Sequence, residues 1–334
     1  MSEQSSPKSP SLAWMHRYAV LTAVCTFLLI VAGALVKSTG SGLAVPDWPL
    51  SFGRLMPEMV GGVFFEHGHR MVATFVGLLT IGLVVWIHRT ESRRWVRRLS
   101  TISLAIILTQ GCLGGMTVLL KLPPIVSIAH AGLAEIFFCV AATMALVTSG
   151  WWRRAEGPLP SASALGLQLQ CALLTAVVYL QILLGALVRH YGAGLSIRTF
   201  PLADGKWIPD IDSFYVGIHF AHRVGAVLVA LLAVATAVRL FGDLELAQAR
   251  RRPDHGLGPV LLPAVALLVI VSGQILLGGY VIWSERAVEM TAAHVATGAL
   301  TLVTAYLMTL ATFRALRQTP AAPVAQGSLT EATA

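Results

Sequence analysis

The sequence predicts an all-α membrane protein of eight transmembrane helices, arranged as two tandem, pseudo-symmetric four-helix bundles. Of its 334 residues, 56% are hydrophobic and only 12% are charged, and the mean hydropathy is +0.73. Eight stretches are long and apolar enough to cross a bilayer, and segments of the first half recur in the second. Soluble domains carry about 25% charged residues. A soluble enzyme, a nucleic-acid-binding protein and a disordered chain are therefore excluded.

The spans are predicted from runs of about 20 apolar residues. They cover residues 18–36, 63–87, 100–119, 126–148, 165–188, 216–240, 259–282 and 288–312. Most Lys and Arg residues fall in the two tails and in every second loop, most densely in RRWVRR (93–98) and RRR (250–252). Cytoplasmic loops carry an excess of these residues, so we expect both termini in the cytoplasm.

Internal repeats divide the chain into two halves. GALVKSTGSGLAVPDWPL (33–50) matches GALVRHYGAGLSIRTFPL (185–202) at an offset of 152, and QGCLGGMTV (110–118) matches QILLGGYVI (274–282) at an offset of 164. Four spans separate the copies, so both halves have the same orientation. The predicted regions are an N-terminal tail (1–17), an N-terminal half (18–148), a cytoplasmic linker (149–164), a C-terminal half (165–312) and a C-terminal tail (313–334).

Four of the ten histidines occupy matching positions in the two halves. His69 corresponds to His222, and His130 corresponds to His294; all four fall in the first turns of even-numbered spans, towards the outer face. A lone histidine near a helix end is usually an interfacial hydrogen-bonding group. Four matched histidines instead favour two ligand pairs, because histidines from facing helices of a bundle hold haem iron. Zinc is disfavoured, because no CxxC motif or accompanying Cys or Asp is present.

His69 is followed directly by Arg70, and its counterpart His222 is followed directly by Arg223. A guanidinium in an apolar helix end is costly unless it meets an anion. We therefore favour both arginines as partners of haem propionates. For Lys37 and Arg189, at matching ends of the first and fifth spans, the same role and simple snorkelling to the lipid headgroups stay open.

The two copies differ three residues before the histidine, where Glu66 in the first copy corresponds to His219 in the second. The i, i+3 spacing places Glu66 on the helix face of His69. An ion pair with Arg70 is the alternative, although the arginine persists in the second copy without the carboxylate. The N-terminal half is predicted to be catalytic and the C-terminal half to hold a cofactor. We interpret His67 as peripheral, leave His190 without a role, and expect no ionisable residue at mid-membrane in the even-numbered spans.

These motifs together resemble the haem A synthase family. The resemblance rests on KSTGSGLAVPDWPLSFG (37–53), EHGHR (66–70), LGGMTV (113–118) and HAGLA (130–134), with weaker copies in the second half, and extends over about residues 18–312. It implies a duplicated eight-helix bundle. It also implies an oxidoreductase acting on a CH group, which converts haem O to haem A by oxidising a ring methyl to a formyl in two successive hydroxylations, for the biogenesis of haem-copper oxidases.

The resemblance also assigns roles to residues. It implies that His69 and His130 bind the iron of haem O, with Glu66 as the catalytic carboxylate. His222 and His294 would ligate a resident haem b cofactor. Many family members carry cysteine pairs in the outer loops; here those positions are Val45, Ser51, Ile197 and Ala203, so no disulfide is expected.

Two other functions are compatible with matched histidine pairs in a membrane protein. A membrane cytochrome that transfers electrons through two bis-histidine b haems, without modifying them, is the main alternative. It is disfavoured because all four ligands lie towards one face and because Glu66 has no counterpart. A haem carrier is weaker still. We expect a bacterial plasma membrane protein, since no organelle-targeting presequence precedes the first span. Haem O synthase and an electron acceptor are possible partners.

Overall fold

A computed structural model describes residues 10–153, 159–243, 246, 248 and 256–318. In this part of the chain, eight helices are long and apolar enough to cross a membrane. In chain order the helices are α1 (Pro10–Ser38), α2 (Gly62–Thr90), α3 (Arg94–Leu119), α4 (Pro124–Thr148), the short α5 (Gly150–Arg153), α6 (Ala164–His190), α7 (Phe214–Gly242), α8 (Gly258–Trp283) and α9 (Val288–Ala315). Strands β1 (Leu159–Ser161) and β2 (Leu316–Gln318) form a parallel pair.

All eight predicted spans are confirmed as helices, and the helices extend beyond them. Helix α1 begins at Pro10 and α3 at Arg94, several residues before the predicted starts at 18 and 100. The difference arises because the apolar run ends at the first charged residues, whereas the helical backbone continues through them. Parts of the predicted tails (1–9 and 319–334), of the linker (154–158) and the basic run 250–252 lie outside the described residues.

Helix packing follows the same cycle in each half of the chain. Helices α1 and α3 both pack against α2 and α4, and α6 and α8 both pack against α7 and α9. Contacts between the halves join α1 to α9, α4 to α9 and α4 to α6. This pattern is compatible with two tandem four-helix bundles, and we call the contact region of α1, α4, α6 and α9 the seam.

The seam is apolar and closely packed in its middle. Phe138 and Ala142 of α4 form a buried cluster with Ala299 and Val303 of α9, and Phe27 of α1 packs against it. Because lipid is as apolar as these side chains, helix association in a membrane depends on close packing, which small residues such as alanine permit.

Two long loops lie at one end of the bundle. The first loop (residues 39–61) joins α1 to α2 and the second loop (191–213) joins α6 to α7. Each contains a short β-bridge, Ser51–Arg54 in the first and Ala203–Lys206 in the second. Each also contains one cis X-Pro bond, at Pro49 and Pro201. The repeat offset of 152 therefore extends to the backbone of the loops, and we call this end the long-loop end.

A buried carboxylate organises the opposite end. Glu91, just after α2, forms ion pairs with Arg93 at 2.7 Å and with Arg153 of α5 at 2.8 Å. Arg93 also donates to the carbonyl of Val147 at the end of α4. The hydrogen bond from Arg93 is the main cause that lowers the pKa of Glu91 to about 2. Glu91 thus ties the α2–α3 turn to α4 and α5.

We predict that Glu91→Gln destabilises the folded protein by on the order of 2 kcal/mol near neutral pH, because two arginines lose their counter-charge. The folded pKa lies below the ordinary value of 4.5, so the stabilisation is complete above about pH 4.5 and is lost as the pH falls towards 2. Thermal unfolding in detergent across this pH range measures the effect. The exposed Glu58→Gln is the matched control, and equal unfolding curves for the two variants would contradict the prediction.

Candidate functional site

Each of the four matched histidines packs against a glycine of the preceding membrane helix. A Cβ atom added to any of these glycines would lie 2.9–3.3 Å from the imidazole Cε1, a separation that real Cβ contacts rarely or never show. The pairs are His69 on Gly33, His130 on Gly114, His222 on Gly185 and His294 on Gly278. The glycines therefore form seats that allow the imidazoles to lie against the neighbouring helix backbone.

The C-terminal pair has the spacing of two ligands of one metal ion. The ring centres of His222 and His294 lie 6.3 Å apart, with an angle of 78° between the ring planes. A metal–imidazole bond is about 2.0–2.1 Å long, so imidazoles on opposite sides of one ion have ring centres about 6.4 Å apart. The donor set and its spacing fit a haem iron. No group of three or more His, Cys, Asp or Glu side chains suited to a metal occurs among the described residues.

Glutamine side chains fix the backbone beside three of the histidines. Gln110 donates to the carbonyl of His130 at 2.7 Å, and Gln274 donates to that of His294 at 2.9 Å. The amide nitrogen of Gln181 bonds to the carbonyl of His222 at 2.7 Å and lies 3.0 Å from its Nδ1 atom. At the position equivalent to Gln181, the first half has Leu29. The support of His69 therefore differs from that of His222.

Glu66 is buried and holds the first loop. Its Oε2 atom accepts from the backbone N–H of Val45 at 2.8 Å, and its Oε1 atom accepts from Arg70 at 2.7 Å. Arg70 also donates to the loop carbonyls of Val45, Asp47 and Leu50. The ion pair regarded above as the weaker explanation of Glu66 is thus present in the structure. It fixes the carboxylate one helical turn from His69.

The second half repeats this arrangement with His219 in place of the carboxylate. The N–H of Ile197 donates to Nδ1 of His219 at 3.3 Å, and Arg223 donates to the carbonyl of Ile197 at 3.0 Å. Both arginines therefore hold the loops above their histidines. The binding of haem propionates by Arg70 and Arg223 stays a prediction, and these loop contacts are a role that the sequence did not indicate.

The first loop is ordered by further noncovalent contacts. Asp47 accepts from the N–H groups of Phe52 and Gly53, and these bonds, led by that from Gly53, lower the pKa of this exposed carboxyl. Ser51 hydrogen-bonds to Nδ1 of His67 at 2.8 Å. His67 is 6% exposed, so this residue is buried against the first loop. That it lies outside the ligand site stays a prediction.

The two glycines of each Gly–Gly pair have different neighbours. Gly114 and Gly278 seat histidines, whereas a Cβ at Gly115 would lie 2.7 Å from the indole of Trp48. In the second half, Gly279 has the corresponding contact with the ring of Phe200, at 2.9 Å. Trp48 and Phe200, which precede the two cis-prolines, therefore each pack onto the glycine that follows a histidine seat. These two contacts hold the long loops over the histidines.

Glu135 was missed by the sequence analysis. It lies within α4, five residues after His130, is 5% exposed, and its Oε2 atom has no hydrogen-bond partner among the described residues. Its electrostatic neighbours are Cys139, also in α4, and Tyr179 in α6. The expectation of no ionisable residue at mid-membrane in the even-numbered spans is therefore wrong. One acidic residue inside an apolar span was the available signal.

Comparison with known proteins identifies the family. The profile of the cytochrome oxidase assembly protein family (COX15-CtaA) matches residues 16–60 and 58–307. The chain is 33% identical over 259 residues to a protein named "Heme A synthase" from Symbiobacterium thermophilum, covering 76% of this chain and 82% of that one. It is 33% identical over 231 residues to the protein of the same name from Halalkalibacterium halodurans, covering 66% and 76%.

A third protein of that name, from Shouchella clausii, is 31% identical over 223 residues, covering 65% of this chain and 73% of its own length. The matched region includes the helices that carry all four histidines and both long loops. With its eight apolar helices, this chain is a multi-pass membrane protein. It belongs to the COX15-CtaA family, the family of the haem A synthases.

Proposed function

We propose that this chain is a haem A synthase that oxidises haem O in its N-terminal half and holds haem b in its C-terminal half. The observation that carries the proposal is a difference between the two sites: both have a histidine pair on glycine seats, but only the first has a carboxylate, Glu66, on the helix face of its ligand. The relatives named above support the same reaction.

The C-terminal site is suited to a permanently bound haem. His222 and His294 would ligate the iron, and their 6.3 Å ring separation supports this assignment. Gln181 and Gln274 hold the two histidine backbones in place. When bound, haem b exchanges single electrons with its partners. The role of the chain here is to keep the ligands fixed.

The N-terminal site is proposed to bind the substrate. His69 and His130 would bind the iron of haem O. A first hydroxylation would convert a ring methyl to a hydroxymethyl, and a second would give a geminal diol, which loses water to form the formyl group. Each hydroxylation with oxygen from water removes two electrons from the carbon, and these would pass to the electron acceptor proposed as a partner. Glu66 would act next to this methyl, because a carboxylate in an apolar site stabilises developing positive charge or accepts a proton. Arg70 and the N–H of Val45 orient the carboxylate for this role.

The orientation in the membrane is also proposed. The distribution of Lys and Arg supports cytoplasmic termini in a bacterial plasma membrane, with the long-loop end and both haem sites towards the outer face. Haem O would enter from the lipid, since its farnesyl tail is apolar. A haem O synthase that supplies the substrate and an acceptor for the electrons are the expected partners.

We predict that Glu66→Gln lowers conversion of haem O by at least about 100-fold while leaving the haem b spectrum unchanged. The amide oxygen of glutamine still accepts from the N–H of Val45, whereas its amide nitrogen cannot accept from Arg70. The bond to the loop backbone therefore survives, and the negative charge and the bond from Arg70 are lost. The measurement is chromatography and mass analysis of haems extracted from a host that supplies haem O.

Glu66→Ala is the companion variant, because it removes both the charge and the loop contact. Protection of the backbone amides of residues 41–53 from hydrogen exchange reports the loop. If Glu66→Gln converts haem O normally and only Glu66→Ala fails, then Glu66 serves the loop and not the reaction. If two unmodified b haems per chain are found in the unaltered protein, the electron-transfer cytochrome replaces the synthase.

We predict that Gly185→Ala weakens retention of haem b several-fold and changes its absorption spectrum, because the new Cβ lies 2.9 Å from His222 and displaces the ring. Gly273→Ala in α8 is the control: nothing lies within 4 Å of its Cβ, and alanine favours the helix. Haem content per protein after purification is the measurement. Unchanged content and spectrum in Gly185→Ala would show that the seat is dispensable.

A further inference from the structure

Three basic side chains lie together where the two halves meet at the long-loop end. Lys37 is in the last turn of α1, and Arg189 and His190 end α6. Arg189 reaches across the seam, because its Nη2 atom donates to the carbonyl of Ala34 at 2.7 Å and to the hydroxyl of Ser38 at 2.9 Å. We call Lys37, Arg189 and His190 the seam cluster.

Among the residues that the structure describes, the seam cluster has no counter-charge. Its hydrogen bonds go to neutral oxygens, and among the described residues none of its members forms an ion pair with a carboxylate. Lys37 is exposed, whereas Arg189 and His190 are half-buried. Cations at the end of an apolar bundle are costly without an anion. Their arrangement therefore points to an anionic ligand that is not part of the chain.

The cluster adjoins both histidine pairs. Gly185, the seat of His222, lies one helical turn before Arg189, and Ala34, to whose carbonyl Arg189 donates, directly follows Gly33, the seat of His69. Lys37 and Arg189 are themselves repeat-equivalent, at the offset of 152. Arg70 and Arg223 use their terminal nitrogens on carbonyls of the long loops, whereas Arg189 uses one across the seam, on the backbone of α1. The seam cluster is thus the group of basic side chains that lies between the two halves.

We propose that the seam cluster binds the carboxylate groups of the two haems held by the histidine pairs. Guanidinium and ammonium groups form strong charge-assisted hydrogen bonds with carboxylates. Because the seam cluster lies between the two sites, its positive charges can hold carboxylates of both haems. This inference rests on the proposed haem sites. A phosphate of a lipid headgroup is the other source of an anion at this depth, and the experiment separates the two.

The test compares haem b with its dimethyl ester, in which both carboxylates are blocked. Each is titrated into haem-depleted full-length protein in detergent, and bound haem is followed by its bis-histidine absorption spectrum. For the unaltered protein we expect roughly tenfold or greater preference for haem over the ester. Lys37→Gln combined with Arg189→Gln is expected to remove most of this preference by weakening haem, with little effect on the ester.

Two kinds of control accompany the double variant. Lys121→Gln and Arg198→Gln remove exposed basic residues outside the cluster and are expected to keep the preference. Arg189→Lys keeps the positive charge and is expected to keep most of the preference for haem over the ester. Arg189 also bonds to α1, so its replacement could disturb the fold. Binding of the ester by the double variant shows that its haem sites are still folded. If the double variant binds neither compound, the single Lys37→Gln variant, which removes no side-chain hydrogen bond among the described residues, must show a reduced preference for haem over the ester.

The proposal is overturned if the altered proteins prefer haem over the ester as strongly as the unaltered protein does. It is also overturned if the unaltered protein shows no preference. Loss of binding to phosphatidylglycerol vesicles with an unchanged haem preference would assign the cluster to lipid phosphate. These results leave the proposed function intact, because bis-histidine haem binding persists. Absence of a bis-histidine spectrum in the unaltered protein would instead overturn both.

Discussion

The contact between an imidazole and a glycine backbone is the interaction on which the rest of this molecule depends. It occurs four times, once for each pair of sequential membrane helices, and brings each histidine-bearing helix close to its predecessor. In a membrane, helices gain little from burying apolar side chains, so close backbone approach and a few polar bonds determine which faces meet. The glycine seats and the glutamine bonds to the histidine carbonyls supply both.

On this common framework the two halves have diverged at few buried positions. Glu66 is replaced by His219 and Leu29 by Gln181, and Glu135 in the seam corresponds to Ala299. Each change gives the first half a carboxylate or takes a polar support from its histidine. The C-terminal site consequently has more polar support for its histidines, as the proposed resident haem would require, and the N-terminal site is the more acidic, as the proposed reaction would require. The loop arginines are common to both halves because both need a covered long-loop end.

The sequence was sufficient to predict the eight helices, the repeat and the matched histidines, since these depend on apolar length and on spacing along the chain. It did not predict what depends on neighbours distant in sequence. Gly33 and Gly185 were not recognised as histidine seats, because a lone glycine in an apolar helix has no local signature. Arg70 was expected to face a haem carboxylate, yet the loop carbonyls that it binds lie 20–25 residues earlier. Glu135 was readable from the sequence and was overlooked.

The first loop is closed by hydrogen bonds and one ion pair, at the positions where the resemblance to the haem A synthase family led us to look for cysteines. Val45 is held by Glu66 and Arg70, and Ser51 is held by His67. The four cysteines of the chain are free and lie within the helices. The closure of the first loop therefore needs no oxidation step. Because residues 39–61 contain no cysteine, reductants and thiol-blocking reagents have no group to act on in this loop.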